Sequence, residues 1–154
     1  MTYIQPFEMS STQQSQGTLG APASFSANQR MPCGAITHTG ITVNASGQLV
    51  LSANQTHVIM GTVYIETLSS AAGIVVQWYD VTNSAWIGRS MATFVSTTTT
   101  NSPRTSVARC VVTPSVSTTI EFRIVSIGAG LSNVNVNSLA SGYGGQAWYG
   151  AISF

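Results

Sequence analysis

Charge is what this sequence has least of. Only 6% of its 154 residues are charged, against roughly a quarter in an ordinary soluble domain. Lysine is absent, and five arginines face four acids for a net charge of +1. Nucleic-acid binding draws on a dense basic patch, and docking on an anionic membrane draws on clustered cations. The scattered arginines supply neither, so no nucleic-acid or membrane partner is expected. Surface charge also helps keep a small monomer soluble. A chain this poor in charge must cover itself with Ser, Thr, Asn and Gln, or bury surface in an assembly.

Other absences narrow the chemistry. The opening Met1-Thr2-Tyr3-Ile4-Gln5-Pro6 has no basic cluster followed by an apolar core, which argues against a signal peptide. No apolar run reaches the length of a spanning helix. The two cysteines, Cys33 and Cys110, are too few for a disulfide framework or a zinc site. They are read as free, partly buried thiols, with a bridge between them as the alternative. No Asp-x-Asp, His-x-His or Cys-x-x-Cys occurs, so neither a metal nor any other cofactor is expected. There is no Gly-x-Ser-x-Gly elbow. The acids Glu8, Glu66, Asp80 and Glu121 are scattered. His38 and His57 flank strands and read as hydrogen-bonded or exposed residues. A Cys110–His57 pair has nothing else in the sequence to activate a thiolate. No enzymatic activity is expected. Two sequons, at Asn44 and Asn54, read as chance.

What is present is apolar material for one core. Hydrophobic residues make up 44% of the chain, enough for a single domain of this length. Residues 1–28 form a segment apart. Ser10–Gly17 (SSTQQSQG) is polar and aperiodic, and Pro6, Gly17, Gly20 and Pro22 punctuate the region. Neither helix nor strand is expected to persist there. The segment reads as an extended arm with Tyr3, Ile4 and Phe7 as anchors, or as a disordered tail. Over 29–154, short apolar runs alternate with Gly, Ser, Thr, Asn and Pro clusters, the pattern of an antiparallel all-β domain. Strands are expected at 32–37, 41–44, 48–51, 56–66, 73–80, 85–95, 105–113, 118–126 and 147–154. The DVTNSA stretch, Asp80–Ala85, reads as a hairpin turn. Segment 127–146 reads as a long loop, and Thr97–Thr100 as another loop or an edge.

Alternation then separates two kinds of strand, because successive side chains face opposite sides of a sheet. In 118–125, Ile120, Phe122 and Ile124 share one face, while Thr119, Glu121 and Arg123 share the other. This predicts one face in the core and one in water. In 56–66 both faces are apolar: Ile59, Gly61, Val63 and Ile65 against Val58, Met60, Thr62 and Tyr64. Strand 147–154 carries Trp148, Ile152 and Phe154 on one side, with Tyr149 and small residues on the other. Strand 107–112 is apolar on both faces apart from Arg109. Large apolar patches are rare on monomers, so the second faces call for a neighbouring subunit and a closed oligomer.

The strand order and spacing, with the segments HVIMGTVYIET and GQAWYGAISF, resemble the trimeric jelly roll of the tumour-necrosis-factor and complement-globular-head superfamily. Within it, GIVVQWYDVTNSAWIG followed by VARCVVTPSVSTTIEFRIV is similar to domains of bacteriophage virion proteins. The resemblance covers about residues 29–154. It implies an all-β antiparallel sandwich of jelly-roll type, and a homotrimer whose axis is lined by a sheet of the first, third, sixth and last strands. Carried onto this sequence, Val58, Met60, Tyr64, Arg109, Tyr149 and Phe154 would lie at the trimer interface. Arg109 would either converge with its copies near the axis, with Glu66 of a neighbour as a partner, or lie in solvent at the open end. The absence of a collagen-like stem, a coiled coil and a membrane anchor favours a virion component assembled in a host cytoplasm.

Two roles are expected to compete. One is a capsid decoration or cement protein, with Tyr3, Ile4 and Phe7 gripping the major capsid protein or another virion protein. The other is a receptor-binding head of a tail or head fibre, with Trp86 and Tyr143 as candidate contacts to a host surface glycan. Trp78 and Tyr79 also flank the 80–85 turn. Trp78 filling the core and Tyr79 at a subunit boundary is the plainer reading of that pair.

Overall fold

The computed structural model describes residues 14–18, 26–34, 41–62, 72–95, 107–127 and 148–153. These residues form ten strands and no helix: β1 (Gln14–Thr18), β2 (Arg30–Met31), β3 (Ile41–Val43), β4 (Leu49–Leu51), β5 (His57–Thr62), β6 (Ala72–Asp80), β7 (Ala85–Val95), β8 (Val107–Val112), β9 (Thr118–Ile127) and β10 (Trp148–Ser153). All pairings are antiparallel. Sheet I has the order β1-β10-β5-β8, and sheet II the order β3-β4-β9-β6-β7. The short β2 pairs with β9 at Arg30↔Arg123 and Met31↔Phe122. Because β6 occupies one side of β9, β2 and β4 share the other.

The two sheets pack face to face, as a half-apolar sheet must. Sheet II contributes Leu49, Leu51, Ile74, Val76, Trp78, Ile120, Phe122 and Ile124; sheet I contributes Ile59, Ala108 and Cys110. Trp78 locks the layers. Its ring lies 4.9 Å from that of Phe122, and its indole N–H donates to the carbonyl of Ala108 at 3.3 Å. At Gly61 the sheets come close, since a Cβ there would meet the Phe122 ring at 2.7 Å.

The 80–85 turn joins β6 and β7 as expected. The Asp80 carboxylate accepts from the Asn83 backbone at 2.9 Å and from its side-chain amide at 2.8 Å. Thr82 Oγ1 accepts the Thr119 N–H at 2.9 Å, which ties the turn to the start of β9. The two aspects of β8 also separate as alternation predicts: Ala108 and Cys110 are buried, Arg109 and Val111 exposed.

Three expectations need correction. Gln14–Thr18 is not structureless: it is a strand paired with β10 over five residues. Ladder bonds are made by backbone, so the open edge of β10 can recruit a polar, aperiodic segment that hydrophobic patterning overlooks. In the run expected at 32–37, the described residues 32–34 follow the two-residue β2 and hold only an isolated bridge at Cys33, whose N–H donates to Gly47 O at 2.8 Å; residues 35–40 lie outside the described ones. The Thr119, Glu121, Arg123 face of β9 is not simply in water, because Glu121 is buried. Its carboxylate is satisfied by neighbours that alternation cannot see. The expected loops at 97–100 and 127–146 fall almost wholly outside the described residues.

Candidate functional site

Two outward faces carry what this molecule offers to a partner. On sheet I the backs of β5 and β8 meet in register, Val58 opposite Val111 and Met60 opposite Arg109. Val58 and Met60 are half-buried, Arg109 is exposed, and Val111 is 64% exposed. On the other side of β5, β10 joins this sheet with Ile152 opposite Val58 and Gly150 opposite Met60. The face continues into an open hollow of about 360 Å³ between β7 and β8, walled by Gly88, Arg89, Met91, Val107, Arg109 and Val111. Gly88 makes the floor possible: it has φ +70°, and a Cβ there would meet the Arg109 carbonyl oxygen at 2.4 Å. The result is a mainly apolar surface with two cations at its margin.

Sheet II presents a different chemistry. Trp86, Tyr79 and Glu121 lie in register across β7, β6 and β9, and Gln77, Arg123 and Arg30 across β6, β9 and β2. Tyr79 and Trp86 meet edge to face, centroids 5.1 Å apart at 75°. The Arg123 guanidinium lies 3.7 Å above the Tyr79 ring, and its Nε donates to Glu121. Gln48 donates to the other Glu121 oxygen at 2.9 Å, and Arg30 stands 3.7 Å from that oxygen. Trp86 remains 38% exposed at the end of this belt.

The sequence-predicted site residues distribute as follows. Val58, Met60 and Arg109 come together on the back of sheet I. Tyr149 is in register with Gly61, and only its backbone position is described. Tyr64, Phe154, Tyr143, Tyr3, Ile4 and Phe7 lie outside the described residues, as does Glu66. Trp86 is on sheet II, apart from the sheet I group, and Trp78 is buried in the core. Three contributors were overlooked. Val111 has a readable signal, since it shares the outward parity of Arg109 in Val107–Val112. Arg30 and Gln48 have none, because they reach Glu121 across 91 and 73 positions of sequence.

Among the described residues, the buried groups include two thiols and one imidazole. Burial pushes the thiols of Cys33 and Cys110 up to about 12, so both are protonated at neutral pH and poor nucleophiles. Both cysteines are free and buried. His57 is buried in β5, and its Nε2 lies 3.0 Å from the Ser52 carbonyl. A carbonyl only accepts, so that nitrogen carries the proton. Cys110 pairs with Ile59 while His57 pairs with Val112. Among the described residues no three His, Cys, Asp or Glu side chains group as metal ligands. No protein-family model matches the chain, and no curated protein is similar to it in sequence.

Proposed function

We propose that the chain is a structural, non-enzymatic virion protein: a homotrimer of jelly-roll subunits that decorates a bacteriophage head and grips the major capsid protein through its first residues. The observation that carries this reading is the back of sheet I. Val58, Met60 and Val111 form an outward apolar group on a chain with almost no charge to spare. Such a face is stabilised when a second copy covers it. Strand order supports the same reading. Among the described residues, with the short β2 and β3 set aside, sheet I holds the first, last, third and sixth of eight strands, and sheet II the second, seventh, fourth and fifth. That is the partition the jelly-roll resemblance implies, with the axis-lining strands in one sheet. Low charge and assembly in the host cytoplasm fit a particle component that needs no cofactor.

Because β1 completes the edge of sheet I, the anchoring function falls to residues 1–13, which include Tyr3, Ile4 and Phe7. Deleting them is expected to leave a trimer that no longer decorates empty heads. A monomer by light scattering of the full chain at micromolar concentration sinks the trimer. Undiminished decoration by the truncated trimer sinks the anchor. The second reading, a receptor-binding fibre head, is favoured by one observation, the exposed Trp86 beside Tyr79. Copy number per particle separates the two: hundreds for decoration, tens or fewer for a fibre.

A further inference from the structure

We infer that the sheet II belt binds an acidic oligosaccharide, with Trp86 as stacking platform and the Arg123–Arg30 pair as the carboxylate-binding element. The inference goes beyond the structural role and does not depend on the trimer, since the belt is on the sheet turned away from the proposed subunit contact. The belt crosses four strands, β7, β6, β9 and the β2 segment, over two adjacent rows of one face, and so spans about 14 Å across the strands at the usual spacing. That suits an extended chain of a few sugar rings.

Three features point to a ligand. First, charge is unbalanced. Two guanidinium groups stand over a single carboxylate, and that carboxylate is buried while the side chain of Arg30 is 37% exposed. In a chain with five cations in all, placing two around one acid leaves a local excess of one positive charge facing solvent. Second, Arg123 is preorganised. Its Nε is held by Glu121 and its plane lies on Tyr79, so little side-chain freedom remains to be lost when an anion takes its outer N–H groups. Third, Trp86 offers exposed indole surface while its orientation is fixed by the edge-to-face contact with Tyr79. An indole beside a fixed guanidinium matches a sugar ring that carries a carboxylate: apolar C–H face against the ring, charge against the fork. Single-stranded nucleic acid would also use stacking and cations, but it needs a basic track along its backbone. One net charge does not make one.

The test uses the full chain in solution with tri-galacturonate as probe, and a neutral galacto-trisaccharide and a short oligothymidylate as comparisons. Tryptophan fluorescence and calorimetry are the readouts. The acidic trisaccharide is expected to bind, and the neutral one to bind roughly tenfold more weakly. Trp86→Ala and Arg30→Gln are each expected to weaken acidic binding by about tenfold while far-UV dichroism shows the fold retained. Both side chains are solvent-exposed enough for the fold to tolerate these changes. Trp86→Phe guards the first variant: it is expected to keep most of the affinity while losing the fluorescence response of residue 86. Absence of binding, equal binding of the neutral sugar, tighter binding of oligothymidylate, or indifference to both variants would each overturn the inference.

Discussion

Trp78 and the two cysteines show how much rests on single buried side chains. Trp78 is buried, packed at a tilt against Phe122 and hydrogen-bonded across the sandwich to Ala108. Trp78→Ala is expected to cost about 3–5 kcal/mol, read as a lower urea midpoint at unchanged slope. The thiols give a pH signature. Both are raised in the folded state from 9.0 to about 12, chiefly by burial, with Arg30 opposing slightly at Cys33. As pH rises the unfolded chain therefore loses these protons first. Their contribution is fully present below pH 9.0, is progressively lost above it, and is gone once pH passes about 12. Melting temperature should accordingly fall between pH 9.0 and the limit of measurement, and the fall should shrink in a Cys33→Ala, Cys110→Ala double variant. A slope identical in that variant would assign the effect elsewhere. At this scale the sequence was readable where a residue obeys alternation, as Ile120, Phe122 and Ile124 do. It was not readable at Glu121, whose burial depends on Gln48 and Arg30 arriving from distant strands.

Among the elements, β7 and β1 are the ones whose role is not in their own pattern. Gly88 bends β7 against β8, with φ +70° and no room for a Cβ between the Arg109 carbonyl and Cys110. Gln77 reinforces the bend by donating to the Gly88 carbonyl at 3.0 Å. Gly88→Ala combines left-handed strain with a backbone clash, and is expected to cost at least about 1–3 kcal/mol. It should also broaden amide signals of β7 and β8 before those of β9, a difference that heteronuclear spectra report. The longer strands were legible because their apolar alternation persists: β6, β7, β8 and β9 fall within a residue or two of the expected bounds, and β5 begins within one residue of its expected start, while residues 63–66 lie outside the described ones. The short ones depend on the neighbours they meet. β1 exists because β10 has an edge to satisfy, and β2 because β9 has a stretch beyond the end of β4.

For the whole molecule, the proposed trimer rests on the back of sheet I. Val111 is the most exposed large apolar residue among those described, so Val111→Glu should leave the protomer fold and its melting by far-UV dichroism close to unchanged. In an assembled molecule the same change buries a carboxylate against Val58 and Met60 of its own sheet and against the neighbour. If the proposed trimer forms through this face, light scattering is then expected to report monomer for the variant at concentrations where the unmodified chain scatters as a trimer. A variant that stays fully trimeric would place the subunit contact elsewhere and remove the main support for the assembly reading.

The sequence by itself determined the class of fold, the hairpin at 80–85, the inward residues of the long strands and the surplus apolar face of 56–62 and 107–112. These follow from composition and a two-residue period, which are local quantities. The tertiary structure decided that those two strands are neighbours with β10 in one sheet, that a polar N-terminal segment closes its edge, and that Arg30, Gln48, Glu121, Arg123, Tyr79 and Trp86 form one belt. Each of these is a contact between residues far apart in the chain, set by how strands order themselves in a sheet, and no local period encodes that order.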